Sequence, residues 1–136
     1  MKYKIYSDGA ARGNPGPAGA GYVVYDETGV QVYSETIPLG RTTNNIAEYT
    51  AILEAAKYIK SLNPVKVDFM LDSELVVRQL SGQYKVRANH LLPLYHELKS
   101  ILAGLNCNCL HIPREQNKAA DKLANKGADM SAAESK

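Results

Sequence analysis

Four acidic residues lie where the hydrophobic pattern places the ends of strands or the bodies of helices. Asp8 ends the first predicted strand and Asp72 ends the fourth. Glu48 lies in the first turn of a long predicted helix, and Asp121 lies in the last one. Because sites on open α/β sheets form at the carboxyl ends of the strands, these acids are the first candidates for chemistry.

Asp8 and Asp72 lie side by side if a crossover helix returns the fourth strand beside the first, and such a pair suggests a metal site. Two close carboxylates repel each other and raise their pKa values unless a cation neutralises them. Oxygen ligands favour magnesium or manganese over zinc. Two such ions, about 3.5–4 Å apart, would activate a water and stabilise the leaving oxygen in phosphodiester hydrolysis. Spacing alone leaves open whether Glu48 and Asp121 join them.

Each acid also has an ordinary structural alternative. Asp8 can begin an Asp-Gly turn, and Glu48 can close a capping box with Asn45. Asp72 can cap the helix that follows it. Asp121 can be a solvated surface acid. Taken singly, each alternative is the commoner role for its residue type, so the case for a site depends on the four acids meeting.

The elements that must position these acids follow from the apolar periodicity. Alternating residues predict strands, recurrence at helical spacing predicts helices, and short turns join the first three strands into an antiparallel half. A strand reached through a helix implies a parallel, right-handed crossover, so the sheet is mixed. The predicted strands cover 2–7, 21–26, 30–37, 65–71 and 107–112, and the predicted helices cover 44–62, 73–80, 90–105 and 117–127.

Composition limits the class of protein. The chain has 136 residues, 45% of them hydrophobic and 22% charged, which is typical of one folded domain and excludes a disordered chain. No apolar run approaches the roughly 18 residues of a membrane span. The first residues lack the apolar core of a secretory signal, and Cys107 and Cys109 lie too close in sequence for an easy disulfide. A cytoplasmic, monomeric protein is therefore expected.

Five segments in order resemble ribonuclease H type 1, and the resemblance runs from about residue 2 to residue 128. No single segment is specific, but their series is. The resemblance implies a ribonuclease H-like α/β fold, with a five-stranded mixed sheet in the order 3-2-1-4-5 and helices on both faces. The small polar residues 129–136 are expected to fray after a domain over 1–128. The segments are YSDGA at 6–10, GNPGPAG at 13–19, TNNIAE at 43–48, LDS at 71–73 and IPREQNKAADKLA at 112–124.

The resemblance also assigns the acids. Asp8, Glu48, Asp72 and Asp121 match the family's two-metal carboxylate set, which uses Mg²⁺ or Mn²⁺ to hydrolyse the RNA strand of RNA/DNA hybrids. The products are a 3′-hydroxyl and a 5′-phosphate. On this assignment Asp8 bridges both ions, while Asp72 and Asp121 hold the ion that activates water. Glu48 helps hold the other ion and contacts the RNA.

Substrate contacts carry over from the same resemblance. Three amides match positions that meet ribose 2′-hydroxyls and base edges, a role that suits a group able to donate and accept. A second group matches a pocket for a phosphate of the DNA strand, although Thr43 can instead cap a helix and Arg41 can be a surface cation. The amides are Asn14, Asn44 and Asn45, and the phosphate group comprises Arg41, Thr43 and Asn89.

Two departures place the chain in a handle-less, bacterial or archaeal-like branch. Only residues 81–89 occupy the place of the family's basic, tryptophan-bearing handle, and the chain has no Trp, so weaker hybrid binding is expected. A product-release histidine is absent from the loop before Asp121, where Arg114 is the expected replacement. A module that binds hybrid or double-stranded RNA with weak or no turnover remains the alternative, as does a preference for double-stranded RNA or RNA–DNA junctions.

Overall fold

The computed structural model describes residues 1–134 and contains one five-stranded sheet. Its order is β3-β2-β1-β4-β5, which confirms the predicted order. β1 pairs with β2 in the antiparallel sense and with β4 in the parallel sense, so the sheet is mixed as expected. The strands are β1 (Lys2–Ala11), β2 (Gly16–Asp26), β3 (Gln31–Thr42), β4 (Lys66–Leu71) and β5 (Cys107–His111).

Helices cover both faces of this sheet. The first three pack around a core in which Tyr49 and Ile52 of the first helix meet Ile5 and Phe69 of the sheet, all fully buried. The fourth helix lies on the opposite face, where it contacts β1, β2 and β3. The helices are α1 (Asn44–Lys60), α2 (Glu74–Leu80), α3 (Leu92–Ala103) and α4 (Lys118–Glu134), with a 3₁₀ turn over Arg114–Gln116.

α4 approaches β2 closely because β2 has glycines where the two elements cross. A Cβ atom on Gly19 would lie 2.3 Å from the carbonyl oxygen of Ala124, and one on Gly21 would lie 2.5 Å from Cβ of Leu123. Both distances are far inside van der Waals contact, so no side chain fits at either position. This close packing fixes the position of α4, and with it Asp121, relative to the sheet.

Several predicted bounds are wrong, and Asp8 is affected most. β1 continues through Asp8 and Gly9 to Ala11, so Asp8 does not end the strand and the Asp-Gly turn does not form. β2 begins at Gly16 rather than at Gly21 because glycines and prolines that suggest a loop are paired with β3 there. β3 likewise extends to Thr42.

The predicted frayed tail is also wrong within the described residues. α4 continues to Glu134 instead of ending at Gly127. Ser131 is buried, donates to the carbonyl of Ala18 at 2.7 Å and accepts from the N–H of Gly40 at 2.9 Å. Residues 135–136 lie outside the described part of the chain.

Two smaller expectations concern the cysteines and membrane spans. Cys107 and Cys109 are free thiols on β5, as expected. Across residues 1–134, no helix has the length and apolar character that crossing a bilayer would require.

Candidate active site

Asp8 and Asp72 are neighbours because β1 and β4 run parallel in register. Ser7 pairs with Leu71, so the residue after each lies at the same edge of the sheet. Asp8 is buried, and its Oδ1 accepts the N–H of Gly9 at 3.0 Å. The predicted meeting of these two acids is therefore confirmed.

Asp72 is not the cap of α2. Ser73 takes that position, and its hydroxyl accepts the N–H of Val76 at 3.3 Å. The Asp72 carboxylate instead accepts a hydrogen bond from Nδ2 of Asn117 at 3.3 Å. The capping alternative is thus wrong, and the Asp72 side chain is directed to the site.

Glu48 does not close a capping box with Asn45. Thr43 caps α1, and its hydroxyl accepts the N–H of Ile46 at 3.3 Å. Oε1 of Glu48 accepts from Nδ2 of Asn44 at 2.8 Å. Glu48 lines one small cleft with Asp8 and Asp72, so it joins the pair predicted from the strands.

Asp121 lies in the first turn of α4 and faces the same cluster. Its Oδ1 accepts from Nδ2 of Asn125 at 3.2 Å, and the guanidinium of Arg114 lies 4.0 Å away. The side chain of Asp121 is 33% exposed, so it is not a freely solvated acid. A hydrogen bond between the carboxyl groups of Asp8 and Asp121 is among the causes that raise the pKa of Asp8.

The four acids form one electrostatic unit. Burial, followed by the charge of Asp72 and by contacts with Asp121 and Glu48, raises the pKa of Asp8 to about 8. Burial and then the charge of Asp72 also raise the pKa of Glu48, although hydrogen bonds from Ser73 and Asn44 act in the opposite sense. A cation held among the four carboxylates would remove this mutual repulsion.

The donor chemistry fits a hard divalent cation. All four groups offer carboxylate oxygens, and two buried polar atoms beside them, Oγ of Ser7 and Oδ1 of Asn117, have no hydrogen-bond partner. In the described part of the chain, no three acidic, imidazole or thiol side chains already converge on one point.

Two of the predicted substrate residues, Asn14 and Asn44, are connected to Glu48 by hydrogen bonds. Oδ1 of Asn14 accepts the N–H of Asn44 at 3.1 Å, and Asn44 in turn donates to Glu48. Asn45 follows in the first turn of α1 and is half-buried. The loop between β1 and β2 is thereby tied to the acid cluster.

The predicted phosphate group is less closely connected. Arg41 is exposed near the end of β3, and Thr43 performs the capping role that the sequence left open. Asn89 is exposed in the connection between α2 and α3. Among residues 1–134, no hydrogen bond or ion pair joins Asn89 to Arg41 or Thr43.

Asn117 is a site residue that sequence reasoning missed. It is 1% exposed, and its Nδ2 donates to the carbonyl of Ser7 at 2.9 Å as well as to Asp72. This one amide joins β1, the end of β4 and the start of α4. The sequence offers only an Asn at a helix start, which predicts a local cap and no long-range bridge.

A sheet in this order, with four carboxylates at the junction of β1, β4, α1 and α4, defines a nuclease-like α/β domain. The chain matches the family model described as reverse transcriptase-like over residues 6–127. It also aligns over 93% of its length with 88% of a Rickettsia bellii protein named ribonuclease H, at 40% identity. The chain therefore belongs to the ribonuclease H family.

Solved structures agree with this assignment. The N-terminal RNase H domain of a Mycobacterium tuberculosis protein superposes with a TM-score of 0.95 at 36% identity, covering 100% of this chain and 99% of that domain. LC11 ribonuclease H1, a compost metagenome protein solved with an RNA/DNA hybrid, superposes with a TM-score of 0.90 at 39% identity. That match covers 96% of this chain and 99% of the LC11 chain. The chain spans about 37% of the length of the curated mycobacterial relatives that it matches.

Proposed function

We propose that this chain is an endoribonuclease that hydrolyses the RNA strand of RNA/DNA hybrids with two bound Mg²⁺ or Mn²⁺ ions. The observation that carries the proposal is the meeting of four acids from β1, α1, the end of β4 and α4 around the buried Asp8, whose pKa is raised by burial and by the three neighbours. A fold gains nothing from such repulsion, so the cluster is best explained by cations that it binds in use. The expected products are a 3′-hydroxyl and a 5′-phosphate.

Each of the four acids would hold a metal ion, and the proposed role of each depends on its place in the cluster. Asp8 would hold both ions, Asp72 and Asp121 would hold one of them, and Glu48 would hold the other while contacting the RNA. Bound ions supply an activated water and charge stabilisation for the leaving oxygen. Asn117 keeps Asp72 oriented through its 3.3 Å hydrogen bond, so this carboxylate starts from a fixed position.

Recognition of RNA would come from the amides beside Glu48. Asn14 and Asn44 are already joined by a 3.1 Å hydrogen bond, and amides can both donate to and accept from a 2′-hydroxyl. Arg41 and Thr43 would contact a phosphate of the DNA strand, with Asn89 completing the pocket. For Arg114, whose side chain is 82% exposed and 4.0 Å from Asp121, we propose a role in product release.

The direct test compares the wild type with Asp8→Asn on a 5′-labelled RNA/DNA hybrid in Mg²⁺ and in Mn²⁺. Removing one carboxylate from a metal site is expected to lower the cleavage rate by about a thousandfold or more, since metal activation of water supplies several kcal/mol. Glu97→Gln removes an acid from the exposed face of α3 and serves as the control, with wild-type cleavage expected. End-group analysis identifies the products.

A binding module with little turnover is the second candidate, because residues 81–91 form only a short connection between α2 and α3 with exposed Lys85 and Arg87. Hybrid, double-stranded RNA and an RNA–DNA junction are compared side by side. Absence of cleavage at micromolar enzyme, with hybrid binding retained, would exclude the enzyme and leave the binding module. Cleavage of another duplex in preference to the hybrid would change the substrate.

A further inference from the structure

The last turns of α4 reach the sheet where β3 contains an extra residue. Gly19 of β2 pairs with Pro38 of β3. The preceding residue, Ala18, pairs with Gly40, so Leu39 is the extra residue of a β-bulge. Gly40 has a φ of +69°, in the left-handed region that favours glycine. A bulge interrupts the ladder of hydrogen bonds, so the backbone groups beside it need other partners.

Ser131 of α4 supplies such a partner. Its hydroxyl accepts the N–H of Gly40 at 2.9 Å and donates to the carbonyl of Ala18 at 2.7 Å. Since Ala18 and Gly40 are register partners, the hydroxyl bridges a donor on β3 and an acceptor on β2. Ser131 is 2% exposed, so bulk solvent does not satisfy these groups, and the side chain holds the bulge in place.

The helix brings this hydroxyl to the sheet through a close approach one turn earlier. A Cβ atom on Gly127 would lie 2.7 Å from the carbonyl oxygen of Ile37, so no side chain fits there. Residues four apart lie on the same face of a helix, and Ser131 therefore faces β3 as Gly127 does. The packing of α4 thus fixes where the Ser131 hydroxyl meets the bulge.

The bulge determines the side of the sheet on which Arg41 lies. In the structure Arg41 pairs with Pro17. Without the extra residue, Arg41 would move one position along β2 and pair with Gly16. Side chains alternate between the two faces of a strand, so a shift of one residue would turn Arg41 to the opposite face. The direction of this guanidinium therefore depends on the bulge being kept.

We propose that Ser131 is a positioning residue for Arg41, because its hydroxyl holds the bulge that directs the guanidinium toward a phosphate of the DNA strand. This inference rests on the proposed function, which assigns that phosphate to Arg41. Among residues 1–134, no ion pair engages Arg41, so its charge is available to a phosphate. Ser131 is buried and acts only through β3. Its loss therefore weakens binding of the duplex and leaves the carboxylates unchanged.

The test measures binding of a blunt RNA/DNA hybrid by fluorescence anisotropy in EDTA, where cleavage does not interfere. Ser131→Ala is expected to weaken binding about fivefold and to lower the slope of log K against log salt toward that of Arg41→Gln, which loses one phosphate contact, or about 0.9. In steady-state cleavage with Mg²⁺, KM rises by a similar factor while kcat stays within about twofold of the wild type. A general loss of structure would not alter the salt slope in this way.

A double variant separates an effect through Arg41 from an independent one. Arg41→Gln/Ser131→Ala is expected to bind as Arg41→Gln does, because the hydroxyl acts through the guanidinium that is already absent. The matched control is Thr36→Val. It removes a hydroxyl that donates to the Leu123 carbonyl at 3.1 Å, and so also joins β3 to α4, but at a regular part of the ladder. Wild-type affinity and salt slope are expected for this control.

Gly40→Ala alters the same bulge without touching α4. Its Cβ atom would meet nothing within 4 Å, so the substitution acts only by disfavouring the left-handed backbone. It is expected to weaken hybrid binding in the same way as Ser131→Ala. Gly29→Ala is its control, since Gly29 has a φ of +86° and equally open surroundings in the turn between β2 and β3. Wild-type affinity is expected there.

Circular dichroism establishes which variants fold. Wild-type affinity in folded Ser131→Ala would overturn the inference, and Gly40→Ala decides in the same way if Ser131→Ala does not fold. A further loss in the double variant, or an equal loss in Thr36→Val or Gly29→Ala, would also overturn it. Failure of the wild type to bind and cleave the hybrid would instead refute the proposed function, so the two failures are distinguishable.

Discussion

At the scale of single residues, Asp8 is held in a state that opposes folding. The residue is 8% exposed, its carboxyl group faces three other acids, and its pKa is raised to about 8, chiefly by burial. The folded state therefore prefers the protonated form. The contribution of Asp8 to stability is fully present below its ordinary pKa of 3.8 and is lost as pH rises through about 8.

Asp8→Asn is accordingly expected to stabilise the metal-free protein. The amide keeps the shape of the carboxyl group but cannot ionise, so the melting temperature in EDTA at pH 9 rises by more than about 4 °C, or roughly 1 kcal/mol for a domain of this size. The gain is smaller at pH 5, where folded wild-type Asp8 is protonated. Thermal melts followed by circular dichroism at both pH values provide the measurement.

Asp26→Asn is the control, because its expected effect on the melting temperature is opposite to that of Asp8→Asn. Hydrogen bonds from Thr28, with smaller help from Val30, lower the pKa of Asp26, so its carboxylate stabilises the fold above pH 3.8 and loses that effect as pH falls. The variant is expected to melt at or below the wild-type temperature at pH 9. A melting temperature of Asp8→Asn that is unchanged or reduced would contradict the proposed repulsion within the cluster.

At the scale of elements, the crossing of α4 over β2 decides where Asp121 lies. Gly19→Ala would place a Cβ atom 2.3 Å from the Ala124 carbonyl oxygen, so the helix must move away. Overpacking of this kind costs about 1–3 kcal/mol or more. The expected result is a lower urea midpoint together with reduced cleavage of the hybrid, because Asp121 moves with the helix.

Gly104→Ala is the matched substitution for this test. Its Cβ would lie 3.5 Å from the nearest atom, an ordinary contact, and φ is −88°, which any residue adopts. Its free energy of unfolding, obtained from urea denaturation, is expected to remain within about 0.5 kcal/mol of the wild type. If both variants behave alike, the close approach of α4 to β2 does not control the site.

The glycines of β2 show which parts of the fold can be predicted from the sequence and which cannot. Within residues 1–134, periodicity identified the five strands and four helices, because alternation and helical spacing are local signals, whereas the sheet order came from the family resemblance. It failed over residues 16–20, where glycine and proline suggested a loop. In the structure Gly19 makes room for a helix more than 100 residues later in the chain, a requirement that no local pattern reports.

The same limit applies to the site. The position of Asp8 beside Asp72 followed from the carboxyl ends of the two strands and the crossover that makes them neighbours, and the structure bears it out. The bridge from Asn117 to Ser7 spans 110 residues and was not predictable, because an Asn before a helix has a sufficient local explanation. For Thr43, the sequence is compatible both with capping α1 and with contacting a phosphate, so it does not decide between these two roles.

At the scale of the whole molecule, the net charge of +2 is the sum of two opposed regions. The four clustered acids leave ten others against 16 basic residues, so the rest of the molecule carries +6. Without bound cations the cluster would repel the phosphates of the proposed substrate, which the rest of the molecule would attract. Metal binding would therefore improve substrate binding as well as supply the chemistry.

Asp72→Asn is expected to bind the blunt hybrid about fivefold more tightly than the wild type in EDTA, which corresponds to about 1 kcal/mol of relieved repulsion. Anisotropy titrations at fixed salt measure the difference. Glu97→Gln removes the same charge far from the cluster and is expected to change the affinity by less than about twofold. An equal gain in both variants would mean that total charge, and not the cluster, sets the affinity.

The order of the strands leaves β3 and β5 as the two edges of the sheet. β5 has only five residues, and β3 contains Pro38, which lacks a backbone donor, with shifts of register at two points against β2. Short or interrupted edges are poor templates for adding a further strand. The sheet therefore resists edge-to-edge aggregation with other copies of the chain.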